Sequence, residues 1–160
     1  MAMISRITGL TAGLALAAGG LVPSASFGCP SSPAVEQRRQ SPAEASAESE
    51  YTRGVRARVA KDWKAAEQAF HRAIAFRADF ADAWNELGYA LRNQGRYPES
   101  LKAYDEALRL RPDFPEALEY LGEAYVKMGR VDDARRILDR LRRLDQHRAQ
   151  ELAEAIDQRR

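Results

Sequence analysis

Apolar residues in the second half of this chain recur at helical spacing. Trp84, Leu87 and Leu91 lie three and four residues apart with Ala83 beside them, and Leu101, Tyr104 and Leu108 repeat the spacing. Each set puts its apolar side chains on one face of a helix, with charged residues elsewhere. Gly95 falls between the two sets as a helix stop. Leu118, Leu121 and Tyr125 predict a further helix, and Ile137, Leu138, Leu141 and Leu144 another with a buried stripe. Ala149, Leu152, Ala153 and Ile156 form a last one-sided stripe, as an end helix needs when its other face meets water. No strand is predicted.

These helices repeat. RADF at 77–80 returns as RPDF at 111–114, Leu87 and Gly88 as Leu121 and Gly122, and Gly95-Arg96 as Gly129-Arg130, each 34 residues on. One step back, Gly54 precedes Gly88, Ala66 precedes Ser100, Phe70 precedes Tyr104 and Ala73 precedes Ala107 at the same interval of 34. A fixed period of about this length is the signature of a helical repeat array, with two helices per unit. Gly54, Gly88 and Gly122 fall inside the first helix of each unit, where glycine costs ~1 kcal/mol against alanine. Their recurrence predicts a close approach by the second helix of each unit.

The pattern resembles the tetratricopeptide repeat, W-x2-L-G-x2-Y…A-x3-F…P. Trp84, Leu87, Gly88, Tyr104, Ala107 and Pro112 carry the resemblance in the middle unit, and Leu118, Leu121, Gly122, Tyr125 and Ala134 in the third. The first unit is degenerate: Glu50 and Arg53 stand where Trp and Leu are expected, while Gly54, Ala66, Phe70 and Ala73 hold. The resemblance implies an all-α, right-handed solenoid of three helix-turn-helix units, at about 47–80, 81–114 and 115–148, closed by a capping helix at about 149–158.

The front of the chain differs. Residues 1–28 hold one charge, Arg6, and an Ala/Leu/Gly-rich run from Ile7 to Val22 precedes small residues through Ser26. This is the order of a secretory signal, expected to be cleaved after Ser26, with an uncleaved anchor as the alternative. Cys29 follows Gly28, matching only the last two places of a bacterial lipoprotein signal, which makes it a possible lipidation site. Residues 29–48, rich in Pro, Ser, Ala, Glu and Gln, are expected to be a disordered linker, and 49–160 the repeat domain.

Charge changes the picture by exclusion. The formal net charge is +2, without the basic excess of a nucleic-acid binder. Arg135, Arg136, Arg140, Arg142 and Arg143 cluster, but Asp132, Asp133, Asp139 and Asp145 interleave them, which predicts a solvated face with intrahelical ion pairs. His71 and His147 have no metal-ligand pattern around them. Asp79 and Asp113 match across units at helix boundaries and read as caps or N-terminal charges. Trp63 and Trp84 read as packing anchors. The expectation is a protein without catalytic activity, cofactor or metal, touching a membrane only through its N-terminal segment.

Function is then expected on the groove lined by the first helix of each unit. Stepping by 34 gives the rows Tyr51, Asn85, Glu119; Thr52, Glu86, Tyr120; Val55, Tyr89, Glu123; and Arg58, Arg92, Val126, with Lys127 beside the last. Tyr51, Val55, Arg58, Asn85, Tyr89, Arg92, Glu119, Glu123 and Lys127 are the candidate partner-binding residues. Glu48, Asp82 and Glu116 form an acidic row at the helix starts, where the helix dipole favours acids. Co-chaperones with this repeat hold a peptide carboxylate with a clamp of Lys, Asn, Asn, Lys and Arg. Tyr51, Val55, Glu86, Glu116 and Tyr120 occupy those places here, so the resemblance does not carry that ligand over. The expected function is an exported, periplasmic or secreted module that binds a protein or peptide segment as a scaffold or assembly factor of a bacterial cell envelope. The alternatives are a subunit self-associating through the ends of the array, or a lipoprotein accessory.

Overall fold

The computed structural model of the protein describes residues 42–159. The expected leader, Cys29 and the first part of the expected linker lie outside the described residues. Seven helices follow one another: α1 (Pro42–Val59), α2 (Trp63–Phe76), α3 (Ala81–Asn93), α4 (Tyr97–Leu110), α5 (Pro115–Lys127), α6 (Val131–Leu141) and α7 (Gln146–Asp157).

α1 packs on α2, α3 on α4 and α5 on α6, and each pair packs on the next. α1 also touches α3, α3 touches α5 and α5 touches α7, whereas α2, α4 and α6 do not touch one another. Helices drawn together on one side and splayed on the other make a curved array. Its concave layer is α1, α3, α5 and α7.

The recurring glycines set the spacing of these layers. A β-carbon on Gly54 would lie 2.5 Å from the Phe70 ring, and one on Gly88 2.6 Å from the Tyr104 ring. The expected close approach holds in both units. At Gly122 the neighbour is not the second helix of the unit but Leu152 of α7, at 2.5 Å. Leu152 is fully buried, and its fit against Gly122 is how α7 closes the array.

The turns inside the units share one geometry. Gly95 and Gly129 both have φ of 76°, and Arg96 and Arg130 donate their backbone N–H groups to the carbonyls of Leu91 and Tyr125, five residues back. This is the helix-ending motif in which a left-handed residue satisfies the last carbonyls. Lys61 occupies the same place in the first unit with φ of 58°, and Asp62 donates to Ala57.

Four expectations are corrected. α1 begins at Pro42, inside the span expected as linker. Ala47, completely buried against Ala73, Phe80 and Ala83, and an ion pair of 2.8 Å between Glu48 and Arg77 hold this extra length on the array. α7 begins at Gln146, ahead of the expected 149, because the Asp145 carboxylate accepts a hydrogen bond from the Arg148 N–H at 3.1 Å. Asp79 and Asp113 do not cap: Phe80 and Phe114 hold the N-cap positions without side-chain cap bonds. What RADF and RPDF repeat is an arginine over a phenylalanine, Arg77 at 3.5 Å from the Phe80 ring centre and Arg111 at 4.3 Å from that of Phe114. Leu144 lies beyond the end of α6 and is exposed, so the buried stripe there is Ala134, Leu138 and Leu141. The acids on α6 pair with its arginines three residues on, Asp132 with Arg135, Asp133 with Arg136 and Asp139 with Arg142.

Candidate functional site

The concave face carries a ladder of aromatic rings and guanidinium groups. Trp63 stands edge-on to Tyr89 at 5.9 Å, Tyr89 lies 5.0 Å from Tyr120, and Tyr120 lies 6.3 Å from Tyr104. Arg92 sits 5.1 Å from the centres of both Tyr89 and Tyr120, and Arg58 5.5 Å from that of Tyr89. Glu123 on α5 takes Arg92 of α3 in an ion pair. Tyr89, Tyr120, Arg58 and Arg92 are all half-buried. Each therefore keeps contact area for a ligand while its orientation is set by neighbours, the combination that suits tyrosine and arginine to recognition surfaces.

Toward the start of α3 and α5 the face turns acidic. Asp82, Glu86 and Glu116 all act on the Tyr51 hydroxyl; burial first, and then these carboxylates, push it up to about 12. The Tyr51 ring packs 5.8 Å from Phe70 and 4.9 Å from Phe80. Glu86 is buried, and burial pushes its carboxyl up to about 7; Arg58 opposes the shift, and Glu116 and Asp82 add to it. The Arg58 Nε lies 3.1 Å from Glu86 Oε2, yet the two are not aligned as a hydrogen bond, and neither atom has another partner. Tyr120 donates to Glu116 at 3.2 Å, and burial followed by Glu116 raises its hydroxyl.

At the other end a cleft of about 570 Å³ opens, lined by Arg92, Tyr97, Glu123, Lys127, Gln158 and Arg159 among others. Lys127 is exposed at its rim. Among the described residues no group of three or more His, Cys, Asp or Glu is placed to hold a metal ion.

The candidate residues divide. Tyr51, Arg58, Tyr89, Arg92, Glu123 and Lys127 reach the concave face, and Val55 is half-buried against Phe70 and Leu87. Asn85 and Glu119 do not line the groove: Asn85 is 1% exposed and Glu119 6%. Glu119 is held in an ion pair by Arg148 of α7. Glu86, Tyr120, Trp63 and the end of α7 belong to the site and are absent from the candidate set. Glu86 and Tyr120 lie on a row that the period already gives. One more step of 34, from Leu118 to Leu152, would have put α7 beside α5 on the concave layer.

Two family profiles match, TPR repeat over residues 88–129 and tetratricopeptide repeat over 116–147. Residues 88–147 thus carry tetratricopeptide repeats, and the described helices share the all-α solenoid fold of such arrays. Among solved structures it is similar to the TPR2B domain of yeast Sti1, in a complex with pHsp70, with TM-score 0.69 and 21% identity over 72% of this chain and 99% of that one. The second TPR domain of human RPAP3, in complex with the Hsp70 peptide SGPTIEEVD, gives TM-score 0.68 and 20% identity over 72% and 98%. MamA gives 29% identity at TM-score 0.57, over 68% of this chain and 59% of that one. No match is found among curated protein sequences. At these identities the likeness to solved structures is one of fold.

Proposed function

We propose that the protein is a non-catalytic interaction module that binds an extended protein segment along its concave face. The observation that carries this is the half-exposed ladder of Arg58, Tyr89, Arg92 and Tyr120, preset by cation–π contacts at 5.1–5.5 Å and bounded by Glu123. The similar domains of Sti1 and RPAP3 supply the precedent, since they are described in complexes with chaperone-derived peptides. Substitution of Tyr89 and Glu123 together by alanine should abolish capture of a crosslinked partner and leave helicity and Tm near wild type. Equal capture by wild type and double variant would refute the groove as the binding surface.

We further propose that the protein acts outside the cytoplasm, with the module serving as a scaffold or assembly factor of a cell envelope. Support comes from the apolar run Ile7–Val22 and the small residues that follow it. Fractionation of cells expressing the tagged chain tests the compartment, and recovery of the full-length product in the cytoplasm alone would count against export.

A further inference from the structure

The acidic end of the groove has a defect in its internal pairing that the repeat register exposes. In the first unit Glu48 pairs with Arg77, 29 residues on, at 2.8 Å. In the second Asp82 pairs with Arg111, also 29 on, through two hydrogen bonds of 3.0 and 2.7 Å. The next acid in the row is Glu116, and the residue 29 on is Asp145. Glu116 accepts from the Tyr120 hydroxyl and makes no ion pair within 4.0 Å among the described residues.

Glu86 stands behind it with a second anomaly. Its side chain is only 9% exposed, and its Oε2, though 3.1 Å from Arg58 Nε in an ion pair, accepts no aligned hydrogen bond. A buried carboxylate costs stability unless it is paired and hydrogen-bonded. The helix dipole accounts for Asp82 and Glu116, in the first turns of α3 and α5. It does not account for Glu86, a full turn further in. Packing does not require it either, since the same position is Thr52 in the first unit and Tyr120 in the third. The Tyr104 hydroxyl, on a fully buried ring that passes Gly88, is likewise without a partner and is acted on by Arg92 and Glu86.

We propose that this end of the groove receives one cationic side chain, a lysine or arginine of the bound segment, between Glu86 and Glu116 with Tyr51 and Tyr120 as its walls. The inference rests on the groove reading above and names the chemistry it selects. Asp82, Glu86 and Glu116 face three guanidinium groups, Arg58, Arg111 and Arg148; Arg111 is committed to Asp82 by both its terminal nitrogens, and Arg148 is held by Glu119. An arriving cation would complete the pairing of Glu116 and supply the hydrogen bond that Glu86 Oε2 lacks. The neighbouring ladder already holds guanidinium groups over tyrosine rings at 5.1–5.5 Å, so the spacing of the face accommodates one more.

The test is a selection of a random short-peptide display library on the immobilised full chain, with the Glu86→Gln/Glu116→Gln variant in parallel. Lysine and arginine should be enriched at one peptide position on the wild type and not on the variant. A synthetic selected peptide should shift the ring resonances of Tyr51 and Tyr120, and norleucine in place of its cation should weaken binding about tenfold, the worth of one charge-assisted hydrogen bond. Glu116→Gln alone, which keeps an acceptor for Tyr120, should lose much of that preference and guards against misfolding of the double variant. Peptides that bind with no charge preference, or with an acid at that position, overturn the cation site while leaving the groove reading intact. A selection that enriches nothing overturns both.

Discussion

Gly88→Ala separates helix propensity from packing. Alanine is the better helix former by ~1 kcal/mol in a helix interior, so α3 considered alone should gain. The structure opposes this. The new β-carbon would sit 2.6, 2.7 and 2.9 Å from three ring carbons of Tyr104. That ring is fully buried and has nowhere to retreat without displacing the core around Leu118 and Leu121. Overpacking of this kind costs ~1–3 kcal/mol, and three contacts this short put it at the upper end. The net is a loss of about 2 kcal/mol, or a fall in Tm of about 8 °C at ~4 °C per kcal/mol for a domain of this size. Urea and thermal unfolding followed by circular dichroism measure it. In a Tyr104→Ala background the obstacle is gone, and Gly88→Ala should turn stabilising. A Gly88→Ala protein as stable as wild type, with Tyr104 intact, would refute the packing account.

Two further outcomes follow from individual residues. Lys61 adopts the left-handed turn that glycine holds in the other units. That conformation costs a non-glycine residue ~1–2 kcal/mol, partly offset by the unfolded-state freedom that glycine adds. Lys61→Gly should raise stability by about 0.5–1 kcal/mol by urea unfolding, and an unchanged midpoint would show that the turn is unstrained. Glu86, with its folded carboxyl near 7 against 4.5 unfolded, keeps its proton in the native state across that window while the unfolded chain has lost it. Stability therefore falls as pH rises from about 4.5 to 7. The difference between wild type and Glu86→Gln should widen in favour of the variant over that window, and a difference independent of pH would show that Glu86 is ionised throughout.

The helices were legible in the sequence wherever one face had to be buried. Trp84, Leu87 and Leu91 predict α3, and the interval from Gly54 to Gly88 to Gly122 predicts the layers, because packing constrains those positions and repeats the constraint. The errors fall where another force decides. Pro42–Glu48 has the composition of a linker, and it is helical because Ala47 finds a complete burial site and Glu48 finds Arg77, neither of which local composition reports. Asp79 and Asp113 have the residue type of a cap, but the phenylalanines one residue on take the position and are fixed by the arginines above them. Asn85 and Glu119 were placed on the groove by period alone. Both are buried, and the period gives the register along the chain without reporting burial.

The same reasoning says where functional information lies in a repeat array. Positions that recur every 34 residues are accounted for by packing, which every unit must solve again. Positions that break the recurrence while remaining buried or half-buried are not accounted for in that way. Glu116 opposite Asp145, in place of an arginine, is one. Glu86, which packing would have allowed to be a threonine or a tyrosine, is another, and Tyr104 with a hydroxyl where Phe70 has none is a third. All three act on one stretch of the concave face, through Tyr51, Tyr120 and Arg92. Independent departures scattered by drift would not be expected to converge on one stretch. Glu86 and Glu116 also carry an electrostatic or hydrogen-bonding cost that a cation from outside would relieve. A groove that merely tolerated drift would lose nothing if Glu86 and Glu116 became glutamines, whereas a groove built to receive a basic side chain would gain stability and lose its preference for that ligand.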